Sequence, residues 1–577
     1  MQITGAEAIV RALAVEQVPF VFGIVGGKLA PLLHAIAHEP SIRFVGARHE
    51  AAGVLMAGAV AAASERIAVA IAEMGPGSCN AIGGLGTAYA NNLPLLLITS
   101  NNHHAASYPG RGMFMELDTL SLMRPLTKWN AVVHDGRRIP ELLRTAFRQA
   151  LSGRRGPVHL DVPQEILAAQ WDYPDDSFEL APAAYRADLS PRPARDAIAQ
   201  AAVMLAHAKR PLLLAGGGVV ASGASHAFRA LAQRLGAPAA ATQMGIGVIA
   251  SDAENFIGHG GIIGGTALSR ALREADVILA VGCRFSSWMW DETGPLTGRG
   301  AGLINVNIDP AGLGLTPHAL GMWSDAGTAL EDLAVALDGH RPGQAQRQWL
   351  ADMRAEYAGY SERLVALTQD RGDIMHPAAL AQEIAAFLPG DALAVYDGGH
   401  TTFWSNDFTP AKAPRTRFHE PGMSQLGFGL PFANAIKLLH PGQPVFNITG
   451  DGSFGFTIQE LDTARRHGLA VINVIHNNSS WGIIKLGQQK ALGFNLGADL
   501  AGTDYAAVAR GFGCFGESVE RVEQVRPALE RAMASGLPAV IDCRVRFEPH
   551  PCMPAFGMMN QYGFPAVTAK SAARAPA

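Results

Sequence analysis

Apolar residues along this chain come in short unbroken runs separated by longer Ala- and Leu-rich stretches. The runs at 67–72, 94–100, 157–162, 211–215, 277–281, 303–308, 392–396, 445–449, 471–476 and 539–542 are nearly continuous rather than alternating. That is the pattern of strands covered on both faces. Their interleaving with helical stretches predicts α/β architecture with parallel sheets. Two stretches of different composition, 173–195 (rich in Asp, Pro and Ala) and 339–348, read as linkers. The chain then divides into three doubly wound parallel-sheet domains at 1–175, 190–340 and 370–548. A tail at 549–577 carries Pro549, Pro551, Pro554 and Pro565 and is expected to be irregular.

Length agrees with this division: 577 residues at about 150 per domain suggest three or four domains. Hydrophobic residues make up 48% and charged residues 17%, enough apolar material for several cores. The net charge is −4 and no long basic run occurs, which argues against nucleic acid as a partner. The longest apolar runs, such as 54–63, are too short to span a bilayer, so no membrane role is expected. Residues 1–4 lack the charged-then-apolar pattern of a secretory leader. The five cysteines are far apart with no CxxC pair, as expected for reduced thiols in a cytoplasmic protein.

The sharpest chemical signal is Gly450-Asp451-Gly452-Ser453 followed by Asn477-Asn478. Each piece follows an expected strand, and the spacing accommodates one strand–helix–strand crossover. Asp451 and Asn478 should therefore lie at the carboxyl ends of neighbouring parallel strands, where open α/β sheets bind ligands. A carboxylate and an amide oxygen suit a hard divalent ion such as Mg2+, which commonly shares its coordination with phosphates. The glycines allow close backbone approach, and a following helix N-terminus favours anions.

Taken with other segments, these residues resemble the thiamine-diphosphate (ThDP) enzyme superfamily, in its acetolactate-synthase-like branch. Phe22-Gly23-Ile24-Val25-Gly26-Gly27 resembles the family's first glycine turn, and Arg48-His49-Glu50-Ala51-Ala52 the segment of its catalytic glutamate. Gly75-Pro76-Gly77-Ser78-Cys79-Asn80, Arg124-Pro125-Leu126-Thr127-Lys128-Trp129, the 156–163 segment and Leu426-Gly427-Phe428-Gly429-Leu430-Pro431 resemble further family segments in the family's order. Asn477-Asn478-Ser479-Ser480-Trp481-Gly482 is also similar to benzaldehyde lyase.

The resemblance implies a pyrimidine-binding N-terminal domain, a middle domain and a diphosphate-binding C-terminal domain. It implies that Glu50 bonds the aminopyrimidine of ThDP, so that the cofactor's exocyclic nitrogen can take the thiazolium C2 proton. Leu426 matches the bulky residue that wedges between the cofactor rings. Mg2+ is expected on Asp451, Asn478 and the main-chain carbonyl of Ser480. Cofactor contacts are expected from Gly26, Gly27, Gly399, His400, Thr401, Ser424, Gln425, Gly450, Gly452, Ser453, Trp481 and Gly482. Candidates for the substrate pocket are Phe114, Met115, Trp481, Ile483 and Ile484. The family places each cofactor between two chains, which implies a homodimer as the minimum unit and a homotetramer by resemblance.

In the middle domain, the 214–218, 243–245, 282–285 and 307–310 segments resemble those that hold FAD in acetolactate synthases, although relatives place ADP, CoA or nothing there. The run after Phe285 reads Ser286-Ser287-Trp288-Met289-Trp290, without that family's acidic residues and Arg, and Met115 stands where those enzymes carry Gln. The expected reaction is 2-keto-acid decarboxylation with acyl transfer to a small-molecule acceptor. Open alternatives are C–C cleavage of the 2-hydroxyacyl-CoA-lyase or benzaldehyde-lyase type, and a non-catalytic protein of this fold.

Overall fold

The computed structural model describes residues 1–107, 110–186, 190–291, 294–295, 297–298, 300–370 and 372–552. Among these, three six-stranded sheets are parallel throughout.

The N-terminal sheet runs, in spatial order, Arg43–Gly46, Phe20–Gly23, Val69–Ala72, Leu96–Asn101, Val158–Pro163, Trp129–Val132. The C-terminal sheet runs Arg417–His419, Leu393–Asp397, Val445–Gly450, Val471–Asn477, Ala539–Arg544, Phe515–Val519. Numbered within each domain, both follow the order 2-1-3-4-6-5. The middle sheet runs Phe256–His259, Ala239–Ala241, Pro211–Ala215, Val277–Val281, Gly302–Asn307, Ala319–Trp323. Its order is 3-2-1-4-5-6, that of dinucleotide-binding sheets.

All ten expected runs are strands. The strands that were not expected are mostly edges, and their burial explains why. Central strands such as Val69–Ala72 and Pro211–Ala215 are buried at every position, whereas Arg43–Gly46 and Ala319–Trp323 mix buried with exposed positions and Trp129–Val132 is half-buried throughout. The 339–348 stretch is not a plain linker. The 24-residue Gln344–Leu367 helix starts inside it, and Trp349 and Met353 pack into the middle-domain core. The tail expected to be irregular lies, from residue 553 onward, outside the described residues.

The N- and C-terminal domains of one chain share a core. Val54, Leu55 and Leu85 cluster with Phe428, Phe432 and Ile436. Small residues make this possible: a Cβ on Gly84 would lie 2.6 Å from the Ala51 carbonyl, so the Pro76–Ala90 helix lies flush against Glu50–Ala63. All five cysteines are free. No described helix is long and apolar enough to cross a membrane.

Candidate active site

Four turns at the carboxyl edge of the C-terminal sheet converge. Asp451 opens the Asp451–Thr457 helix directly after Val445–Gly450 and is buried. Backbone N–H groups of Gly452, Asn478 and Ser480 point at its carboxylate, which places it against the 478–480 turn. Burial outweighs these donors and pushes the carboxyl up to about 6. Asn478 Oδ1 accepts from Ser480 N at 3.1 Å and Ser480 Oγ at 2.9 Å, and Ser479 takes a left-handed φ of 51° to close the turn. Tyr505 donates its hydroxyl to the Asp451 carbonyl at 2.9 Å. The donors here are oxygens. Among the described residues no three His, Cys, Asp or Glu side chains converge in the manner of a transition-metal site.

The neighbouring turns crowd onto this one. A Cβ on Gly452 would strike the Trp481 ring at 2.5 Å, and one on Gly399 would lie 2.0 Å from Ile483 Cδ1. A Cβ on Gly482 would lie 2.9 Å from His400 Nδ1, and one on Gly450 3.3 Å from Thr401 Oγ1. His400 is buried with both ring nitrogens unpartnered. Burial, helped by nearby His550, holds it down at about 4, so the ring is neutral at pH 7.

Sequence reasoning missed two carboxylates that hold this edge. Asp397 takes the backbone N–H of Gly427 at 3.1 Å and of Gly429 at 2.9 Å, locking the Leu426–Gly427 turn; burial raises it to about 7. Glu420 accepts from Met423 N at 2.6 Å and Gln425 N at 2.9 Å, fixing the Ser424–Gln425 loop, in which Ser424 adopts φ 54°. An acid at the end of an apolar run, as at Asp397, is the only trace the sequence carried; that these acids are buried and bond to backbone is decided by the fold.

The second cluster lies on the N-terminal sheet. Glu50 is the first residue of the Glu50–Ala63 helix and is buried, with Oε2 accepting from Asn80 Nδ2 at 3.0 Å. Gly77 is needed beside it, because a Cβ there would lie 3.1 Å from Glu50 Oε1. Glu73, also missed from the sequence, fills the space under Gly26: a Cβ on Gly26 would lie 1.9 Å from Glu73 Oε2, an oxygen that is buried and unpartnered. Gly27 is exposed with open space beside it. Met115 adopts φ 62° against Gly75, while Phe114 is 77% exposed.

The structure thus assembles a C-terminal half (Gly399, His400, Thr401, Gly450, Asp451, Gly452, Ser453, Asn478, Ser480, Trp481, Gly482, Ile483) and an N-terminal half (Gly26, Gly27, Glu50, Phe114, Met115). It does not join them within one chain. Among the described residues no hydrogen bond or ring contact links the two sets. The Pro76–Ala90 helix measures their separation. Gly77 touches Glu50, whereas Gln425 lies along Gly83 and Thr87, six to ten residues further on, roughly 9–15 Å by helical rise.

A cavity of about 710 Å³ lies instead where the three domains meet. All four segments picked out in the middle domain line it, through Gly218, Gln243, Gly282 and Asn307 among others. Arg154 from the N-terminal domain reaches Asp309 at 3.3 Å across its edge.

Comparison with known proteins bears on both halves. Residues 3–122 match the thiamine pyrophosphate enzyme N-terminal TPP binding domain, 198–333 the central domain, and 397–543 the C-terminal TPP binding domain. The chain is 30% identical over 553 residues to a probable acetolactate synthase large subunit of Methanocaldococcus jannaschii, covering 93% of this chain and 91% of the relative. It is likewise 30% identical over 553 residues to acetolactate synthase isozyme 1 large subunit of Escherichia coli, covering 95% of each. An acetolactate synthase of Mycobacterium bovis is 30% identical over 559 residues, covering 94% of this chain and 88% of the relative. The chain therefore belongs to the thiamine pyrophosphate enzyme family, as an acetolactate-synthase-like, C–C bond-forming member.

Proposed function

We propose that this enzyme decarboxylates a 2-keto acid and joins the remaining acyl group to a carbonyl acceptor, with ThDP and Mg2+ held between two copies of the chain. The observation that carries this reading is the turn of Asp451, Asn478 and Ser480, whose oxygens and flanking backbone N–H groups suit a divalent cation bound to a diphosphate. Gly452, closed to any side chain by Trp481, leaves room for phosphate oxygens against backbone. His400 supplies two unpartnered ring nitrogens.

ThDP, when bound, supplies an electron sink next to the reacting carbonyl. The chain's own residues do the rest. Asp451, Asn478 and the Ser480 carbonyl orient the metal. Gly399, His400, Thr401, Gly450, Gly452, Ser453 and Gly482 cradle the diphosphate. Glu50 holds a proton at the pyrimidine, with Asn80 keeping its second oxygen in place, and Gly26 and Gly27 border that ring. Leu426, half-buried on the turn that Asp397 locks, presses the cofactor into shape, with Ser424 and Gln425 beside it. Trp481, Ile483 and Ile484 from one chain and Phe114 and Met115 from the other wall the pocket and exclude water.

The two-copy arrangement draws support from exposed apolar side chains on both halves: Val25 and Phe114 at 65% and 77% on one, Phe456 and Leu496 at 55% and 75% on the other. Such patches mark contact surfaces. A homodimer is the minimum unit, and two dimers make the homotetramer. The central cavity, lying at the switch point of a 3-2-1-4-5-6 sheet, suits the adenine nucleotide of FAD or ADP.

The test is CO2 release from pyruvate by protein reconstituted with Mg2+ and ThDP, with Glu50→Gln beside it. Turnover that Glu50→Gln reduces by about 10²-fold or more, with ThDP still bound, supports the reading. Absence of CO2 release, with cleavage of 2-hydroxyacyl-CoA or 2-hydroxyketones, would replace it with a lyase. A flavin absorbance band on the purified protein distinguishes FAD from ADP.

A further inference from the structure

Most cations near the two halves are already neutralised. Lys485 pairs with Asp499 at 2.5 Å, and Arg48 with Asp462 at 3.7 Å. Lys28 differs. It follows the Gly26–Gly27 turn, its backbone N–H donates to Glu73 Oε1 at 3.2 Å, and its Nζ lies 5.7 Å from the centre of the Phe114 ring. Among the described residues its ammonium makes no ion pair. Glu73 ties Lys28 to the Glu50 cluster: its Cβ lies 3.4 Å from where a Cβ on Gly77 would stand, and that same point is 3.1 Å from Glu50 Oε1. A free cation is thus held on the shelf that carries Glu50, over an aromatic ring that faces out of the chain.

We infer that Lys28 recognises the carboxylate of an anionic acceptor, so that the enzyme selects a 2-keto acid over an aldehyde as the second substrate. This rests on the carboligase reading above. In that reaction the donor's C1–C2 bond breaks and releases CO2. The electron pair left on C2 forms the bond to the acceptor's carbonyl carbon, and the acceptor oxygen takes up one proton to become a hydroxyl.

The two carboxylates have different fates. A cation bound to the donor's carboxylate would stabilise a charge that must disappear, which opposes reaction. The acceptor's carboxylate persists from encounter to product, so a cation on it lowers the energy of the bound acceptor and of the transition state alike. The ammonium also offsets the repulsion that the Glu73 carboxylate would exert on an incoming anion. Glu73 acts as a positioning residue through the Lys28 backbone.

The experiment gives the reconstituted holoenzyme pyruvate and an equimolar mixture of 2-ketobutyrate and propanal, acceptors matched in carbon chain. It reads the ratio of acid-derived to aldehyde-derived product. The ratio is insensitive to losses common to both acceptors, such as a cofactor-poor site. Lys28→Met and Lys28→Gln are expected to lower it by about tenfold or more, the scale of one lost charge-assisted contact. Lys28→Arg is expected to stay near wild type. Glu73→Gln is expected to raise KM for 2-ketobutyrate with little change in kcat. An unchanged ratio in both Lys28→Met and Lys28→Gln overturns the assignment while leaving the carboligase reading intact. A wild-type enzyme that releases no CO2 from pyruvate overturns that reading and this inference with it.

Discussion

Asp451 carries an unfavourable burden when no cation is bound. Its carboxylate is buried, and burial pushes it up to about 6 despite the surrounding N–H donors. On the function proposed above, such a residue is retained for a ligand rather than for folding. Asp451→Ala is therefore expected to weaken Mg2+-dependent ThDP binding by about 10–100-fold without lowering the melting temperature of the cofactor-free protein. Fluorescence titration and calorimetry on the same sample check both parts. A loss of stability as large as the loss of affinity would make Asp451 a folding residue instead. Asp451 and Asn478 were legible in the sequence because a glycine turn and an Asn pair after apolar runs are a rare coincidence, and Glu50 was legible only through the family resemblance of the 48–52 segment. Asp397, Glu73 and Glu420 were not, because each acts on backbone N–H groups that only the folded turns bring to it.

At the scale of elements, the segment leading into the Glu50–Ala63 helix is held from another domain, while His49 caps the helix itself. Glu460 of the C-terminal domain is fully buried and accepts from Arg48 N at 3.1 and 3.3 Å and from Thr463 Oγ1 at 2.6 Å. It sits where a helix N-terminus favours negative charge, yet burial raises it from 4.5 to about 7. Between about pH 4.5 and 7 the folded chain therefore holds a proton that the unfolded chain has released. This group's contribution to stability falls as pH rises through that window. Glu460→Gln removes the titration. Its melting temperature relative to wild type is expected to rise by roughly 5 °C between pH 5 and pH 8, and scanning calorimetry across that range checks it. A difference independent of pH would show that the ionised carboxylate is fully compensated by its donors. The strands show the same dependence on surroundings. Centrally buried strands announce themselves as unbroken apolar runs, whereas the edge strands Trp129–Val132 and Phe515–Val519 keep half-exposed positions and read as loops.

For the whole molecule, the decisive feature is that no described hydrogen bond or ring contact joins the two halves of the candidate site within one chain. If each site is completed by a second copy, Glu50→Gln and Asp451→Ala chains, each inactive alone, should complement when refolded together. Random pairing puts half of the dimers in the hybrid class with one intact site each, so about a quarter of wild-type activity is expected. Activity no higher than that of either variant alone would place both halves of the site in one chain. Light scattering on the same samples reports whether dimers or tetramers form.

The sequence by itself determined the α/β class, most of the central strands and the Asp451 and Asn478 motif, because burial on both faces and glycine-bounded turns leave local traces in residue order; Glu50 was read through the family resemblance of its segment. Only the tertiary structure decided the rest. It packed the first and third domains around one core, and it turned the presumed second linker into the start of a long helix. It gathered four separate segments around one central cavity and set Glu73 beneath Gly26 and beside Lys28. These arrangements depend on contacts between residues tens to hundreds of positions apart, where local pattern carries no information.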